Sequence, residues 1–90
     1  RFPAVTRDIA MVLRDDLLAK QIEDVIRKEG GRILEEVKLF DVYKGKQVPD
    51  GMKSVAYSIT FRGEDRTLKD EEVEKILRGL KNELDAQLRE

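Results

Sequence analysis

Lys53-Ser54-Val55-Ala56-Tyr57-Ser58-Ile59-Thr60-Phe61-Arg62 is the stretch that decides the fold. Val55, Tyr57, Ile59 and Phe61 share one parity, and Ser54, Ala56, Ser58 and Thr60 the other. Successive strand side chains point to opposite faces, so this is a strand with one apolar face and one small, polar face. Such a strand belongs in an antiparallel sheet packed on one side and solvated on the other.

Working outward, Lys44 to Met52 reads as a connection, with Pro49-Asp50-Gly51 fitting a type I turn that has Pro at its second position. Before it, Ile33 to Tyr43 reads as a strand with Phe40 and Val42 as its core pair, which turns Asp41 and Tyr43 outward. After the deciding stretch, Thr67-Leu68-Lys69-Asp70 matches a helix-start box with Thr67 as cap, and Asp70, Glu71 and Glu72 suit the positive end of a helix dipole. Val73, Ile76, Leu77, Leu80 and Leu84 then make one apolar helical stripe.

Nearer the start, Val5 to Leu13 alternates in part, with Ile9, Met11 and Leu13 inward and Asp8, Ala10 and Val12 outward. Asp15 or Asp16 offers an N-cap for a helix carrying Leu18, Ile22, Val25 and Ile26, and Gly30-Gly31 stops it. The last residues, Ala86 to Glu90, read as a short closing strand or a helix tail. The resulting order is β-α-β-β-α-β. The expected class is α+β, a ferredoxin-like split β-α-β sandwich: a four-stranded antiparallel sheet with two helices on one face. The 90 residues suffice for one domain with one two-layer core. A first residue of Arg rather than Met fits a fragment of a larger protein.

Composition narrows the chemistry. With no Cys and no His, disulfides, thiolate nucleophiles, His–carboxylate dyads and ordinary zinc sites are excluded. The carboxylates lack calcium-loop spacing, so no metal site is expected. Eighteen basic and nineteen acidic residues nearly cancel, so no bulk field draws the domain to a polyanion, and nucleic acid would have to be met at a local site. No apolar run approaches the ~18 residues of a membrane span, and no signal peptide is visible; a soluble, cytoplasmic location with no membrane partner is expected.

Function is therefore sought on the helix-free face of the sheet. Parity gathers there a carboxylate (Asp41), an aromatic ring (Tyr43), the hydroxyl of Ser54 and the small side chain of Ala10. Small residues let a flat ring approach the sheet, and an aromatic side chain gives it a stacking platform, which is how sheets recognise single-stranded nucleic acid. Each feature also has an ordinary meaning: a strand-end Tyr is often half-buried, and exposed Ser and Asp solubilise a sheet. Lys44, Lys46 and Lys53 flank the turn, where they could meet phosphates or simply be solvated.

At these residues a family resemblance appears. Phe2-Pro3-Ala4-Val5-Thr6-Arg7-Asp8-Ile9-Ala10, Leu39-Phe40-Asp41-Val42-Tyr43-Lys44-Gly45, Gly51-Met52-Lys53-Ser54-Val55-Ala56 and Arg66-Thr67-Leu68-Lys69-Asp70-Glu71-Glu72-Val73 resemble four blocks of a known family. It is the ferredoxin-fold anticodon-binding domain found at the C-terminus of bacterial phenylalanyl-tRNA synthetase beta subunits. The four blocks occur in order and in register across essentially the whole chain.

The resemblance implies a parent beta subunit in an (αβ)₂ heterotetramer with the alpha subunit. That enzyme charges tRNA-Phe using ATP and Mg²⁺, with catalysis in the alpha subunit and no cofactor, catalytic residue or DNA contact in this domain. It implies that Tyr43 stacks on an anticodon base, that Asp41 contacts base edges, and that Ala10 and Ser54 line the same pocket. An Arg near the C-terminus also contacts the anticodon in the family, and Arg89 is its counterpart here. Arg7-Asp8 is expected to form a structural ion pair or edge hydrogen-bonding unit, and Gly45 and Gly51 to serve backbone geometry.

Two rivals have different requirements. An acylphosphatase-like enzyme needs a phosphate cradle after the first strand with Arg and a partnered Asn, but that loop reads Arg14-Asp15-Asp16 and the one Asn is Asn82, in the second helix. A ligand-sensing or protein–protein interaction module would use helix edges and a Gly-rich interface loop, whereas Gly30-Gly31 already serves as a helix stop. Fold alone does not choose among them.

Overall fold

The computed structural model describes residues 1–88, with side chains as far as residue 85. Strand β1 (Ala4–Arg14) leads to helix α1 (Ala19–Gly30), a single 3₁₀ turn (Gly31–Ile33) and strand β2 (Leu34–Tyr43). Strand β3 (Met52–Arg62) and helix α2 (Asp70–Leu88) follow. Among the described residues the sheet has three strands in the order β1-β3-β2, antiparallel throughout. The closing strand expected at Ala86 to Glu90 is not formed by residues 86–88, which continue α2; residues 89–90 lie outside the described residues. Ala, Gln and Leu are good helix formers.

The alternation in β3 builds the core. Val55, Tyr57, Ile59 and Phe61 are buried, and they pack with Ile9, Met11 and Leu13 of β1, Ile22, Val25 and Ile26 of α1, and Val73, Leu80 and Leu84 of α2. Both helices thus cover the face to which the odd residues of β3 point. Completely burying side chains of this size stabilises the fold by roughly 1.5–3 kcal/mol each.

The helix starts differ from the sequence reading. Asp16 pairs with Arg14, and Asp15 pairs with Lys44, while α1 begins after Leu18, whose N–H is accepted by Gln21 Oε1 at 2.8 Å. Similarly α2 begins after Lys69, whose N–H is accepted by Glu72 Oε1 at 3.2 Å, so Thr67 is not the cap. In each case only the half of a capping box that reaches back from the first turn is used, because Leu and Lys carry no acceptor oxygen. Glu72 also binds the Arg66 guanidinium, which tethers the preceding loop. The hydrogen bond from Arg66, then that from the Lys69 N–H, holds the Glu72 carboxyl below its ordinary titration range.

Two turns position the strands. Gly31 ends α1 at φ +59°, with its N–H returning to the Arg27 carbonyl, so the Gly-Gly stop is observed. In the β2–β3 connection Met52 N–H bonds the Pro49 carbonyl at 3.1 Å, and Gly51 has φ +80°. The turn therefore starts at Pro49, one residue later than expected. Gly at its third position supplies the positive φ that a type II turn needs.

Arg7 and Asp8 do not pair with each other, because neighbouring strand residues face opposite ways. Arg7 reaches Asp70 of α2 at 3.3 Å, while Asp8 lies opposite Ser58 on the other face.

Candidate nucleic-acid interface

The face without helices is organised in rungs of three residues, one from each strand. Val12, Ser54 and Tyr43 form one rung, and Ala10, Ala56 and Asp41 the next. Asp8, Ser58 and Lys38 follow, then Thr6, Thr60 and Glu36, with the two threonine hydroxyls 3.2 Å apart. Four of the five residues singled out by sequence, Ala10, Asp41, Tyr43 and Ser54, therefore occupy two adjacent rungs. With strands about 4.8 Å apart and same-face neighbours about 6.7 Å apart, they sit within a patch of about 10 by 7 Å. The fifth, Arg89, lies outside the described residues.

The patch owes its composition to an irregularity in β2. Leu39 pairs with Tyr57 and Asp41 with Ala56, so Phe40 is the extra residue of a β-bulge. Before the bulge Val37 and Leu39 point to the helix side; after it Val42 does, opposite Val55. The bulge switches parity and delivers both Asp41 and Tyr43 to the open face. Bulges re-aim side chains in this way beside functional sites.

Phe40 and Val42 do not form the core pair expected of them. Phe40 is the bulged residue and is 54% exposed, while Val42 faces the helix side at 49% exposure. The core packing of the helices is shared with β1, β3 and the start of β2, where Leu34 and Val37 join the cluster; Leu39, Phe40, Val42 and Tyr43 all stay exposed.

Tyr43 is 42% exposed, and its phenol end rests on Gly45 two residues along the chain. A methyl group at position 45 would come within 2.7 Å of Tyr43 Cζ and closer still to its hydroxyl. Gly45 does not have a positive φ, so the close approach of the ring, and not the backbone geometry expected for it, accounts for glycine there. Gly51, with its positive φ, does serve backbone geometry.

The lysines around the connection have separate duties. Lys53 Nζ donates to the Leu17 carbonyl at 2.6 Å and ties β3 to the β1–α1 loop, and Lys44 pairs with Asp15 at 2.8 Å. Lys46 makes no ion pair among the described residues. Asp15, Lys44 to Lys46 and Val48 to Met52 line an open cleft of about 410 Å³ beside the Tyr43 end of the sheet.

Lys38 was missed by the sequence reading. It is a cation on the open face, one rung from Asp41. An even-numbered core set for β2 would have put Glu36 and Lys38 inside, and that clash with the apolar Phe40 and Val42 was the available sign of a bulge. No group of carboxylates among the described residues is arranged to hold a metal ion, and no helix there is long and apolar enough to cross a membrane.

A helix-backed antiparallel sheet whose free face carries an aromatic ring and a carboxylate above small side chains defines a sheet-surface binding module. Comparison with known proteins places it more narrowly. The profile of the ferredoxin-fold anticodon binding domain matches residues 1–89, and the chain belongs to that family. It is 57% identical over 99% of its length to the phenylalanine–tRNA ligase beta subunit of Clostridium tetani, and 53% identical over 99% to that of Clostridium acetobutylicum. The beta subunit of Moorella thermoacetica is 48% identical over the whole chain. The chain spans about 12% of the length of each of these relatives.

Proposed function

We propose that this chain grips the anticodon of tRNA-Phe within a phenylalanine–tRNA ligase beta subunit, on the helix-free face of its sheet. The observation that carries the proposal is the pair of adjacent rungs bearing Tyr43 and Asp41 over Ala10, Ala56 and Ser54, in a chain of an anticodon-binding family. An unstacked anticodon base lies on the Tyr43 ring, which contributes ~1–3 kcal/mol. Asp41 accepts hydrogen bonds from the amino or imino edge of a neighbouring base. A carboxylate accepts and cannot donate, so it favours bases that present donors. Ser54 supplies a hydroxyl that adapts as donor or acceptor, and Ala10 and Ala56 leave the clearance a flat base needs.

The chemistry of charging lies elsewhere. In this proposal residues 1–90 are one non-catalytic module of the beta subunit, which joins the alpha subunit in an (αβ)₂ heterotetramer in the cytoplasm, and ATP and Mg²⁺ serve the whole enzyme. Arg89 adds a further contact to the anticodon. The four-stranded ferredoxin-like sheet of the family would be completed by a further strand along the free edge of β1, beside Ala10 and Val12.

The test is binding of a stem-loop RNA carrying the tRNA-Phe anticodon, with Tyr43→Ala. Affinity should drop roughly 5- to 150-fold, the equivalent of one lost stacked base, with the melting midpoint nearly unchanged. Unchanged affinity of Tyr43→Ala would remove the base-stacking role, and an equal loss against a stem-loop with a scrambled anticodon would remove anticodon specificity from the Tyr43 contact.

A further inference from the structure

We infer that Gly45 is a positioning residue for the anticodon site, a seat that holds the Tyr43 ring in place before RNA arrives. The inference rests on the reading of Tyr43 as the stacking platform and adds a second residue to it. Gly45 lies two residues beyond Tyr43, on the side toward which a strand-end side chain can lean. The Tyr43 hydroxyl, Cζ and Cε2 gather over its Cα, where any side chain at position 45 would collide with them. The φ at Gly45 is not positive, so no left-handed conformation calls for glycine there. It is required by the ring.

The colliding atoms are the far end of a side chain that can rotate. Alanine at position 45 would therefore displace the ring and leave the fold intact. Position 45 also has no part in the core, and its carbonyl keeps the hydrogen bond from Val48 N–H whatever the side chain. A ring already seated does not have to be immobilised when a base stacks on it. Losing that order should cost roughly 2- to 12-fold in affinity, as for immobilising one side chain.

The experiment uses this 90-residue chain and the stem-loop carrying the tRNA-Phe anticodon. In the free protein, the ring should shift the Gly45 α-proton resonances, and Tyr43→Leu should abolish that shift. If Tyr43→Leu leaves those resonances where they were, the seat does not exist and the inference is overturned without reference to RNA. Gly45→Ala should keep the melting midpoint, or raise it slightly as the unfolded chain loses freedom, while weakening stem-loop binding roughly 2- to 12-fold. In a Tyr43→Ala background the same substitution should change nothing further. Unchanged affinity of Gly45→Ala, or an equal loss in both backgrounds, would overturn the positioning role. Failure of Tyr43→Ala itself to weaken binding would instead count against the platform reading, leaving the resonance test to judge the seat.

Discussion

The chain has two tyrosines, and they live in opposite worlds. Tyr57 is wholly buried in the middle of β3, and its hydroxyl has no hydrogen-bond partner among the described residues. Burial, with a smaller contribution from Glu23, pushes its titration up to about 12. Tyr43 stands at the end of β2 on the open face, its ring on Gly45 and its surface partly in solvent. One holds the sheet to the helices; the other leaves its ring at the open face, where the proposed base would stack. The difference comes from strand parity and from whether helices cover that part of the sheet, since the side chain is the same.

Substitutions should separate the two roles. The largest effect is expected for Tyr57→Ala, which empties a ring-sized volume from the core and should cost about 3–5 kcal/mol of stability, read as a lower midpoint in chemical denaturation. RNA binding would fall only in proportion to the unfolded fraction. A mild change at this position would contradict the packing described for β3. Next comes Tyr43→Ala, about 1–3 kcal/mol in anticodon affinity against no more than about 0.5 kcal/mol in stability.

Tyr57→Phe sharpens the comparison further. Removing an unpartnered buried hydroxyl should be neutral or stabilising by up to about 1 kcal/mol. Its effect has a definite pH dependence. Because the folded-state value lies above the ordinary phenol value of about 10, stability is complete below pH 10 and declines as pH rises toward about 12. The gap in melting midpoint between Tyr57→Phe and the parent should therefore widen in that window. A constant gap would mean that the hydroxyl is not as dry as the structure makes it. The smallest effect is expected for Asp41→Asn, which swaps one acceptor oxygen for a donor group. It should alter the preference among anticodon bases, measured with single-base variants of the stem-loop, more than the total affinity.

The contrast also shows what could be read from residues alone. The alternation of β3 is unbroken, so its burial followed directly from parity, as did the placement of Ala10 and Ser54. Both strands run straight, and their partners are opposite each other without a slip. The pattern of β2 also turns Asp41 and Tyr43 to the open face, but for an incomplete reason. It implies a core pair of Phe40 and Val42, whereas a bulge at Phe40 does the turning and the helices leave both residues exposed. A bulge is a relation between two strands, and one strand's pattern shows it only as an internal contradiction, here Lys38 against Phe40.

The helix starts depart from the cap signals for a related reason. Asp15, Asp16 and Thr67 are good caps by type, but Asp15 and Asp16 are drawn to Lys44 and Arg14, and the reach-back from Gln21 and Glu72 settles where each helix begins. The seat under Tyr43 was invisible because it depends on where a ring lies, and the sequence offers only a glycine.

The central claim is that recognition belongs to the open face. Titrating the isotopically labelled chain with the tRNA-Phe anticodon stem-loop and following backbone amide shifts addresses it most directly. The largest perturbations should fall on Ala10, Asp41, Tyr43 and Ser54, with Ala56 and Lys38 beside them, while α1 and the outer side of α2 stay silent. Perturbations centred on the helices, or on Leu39 and Val42 at the helix side of β2, would contradict it.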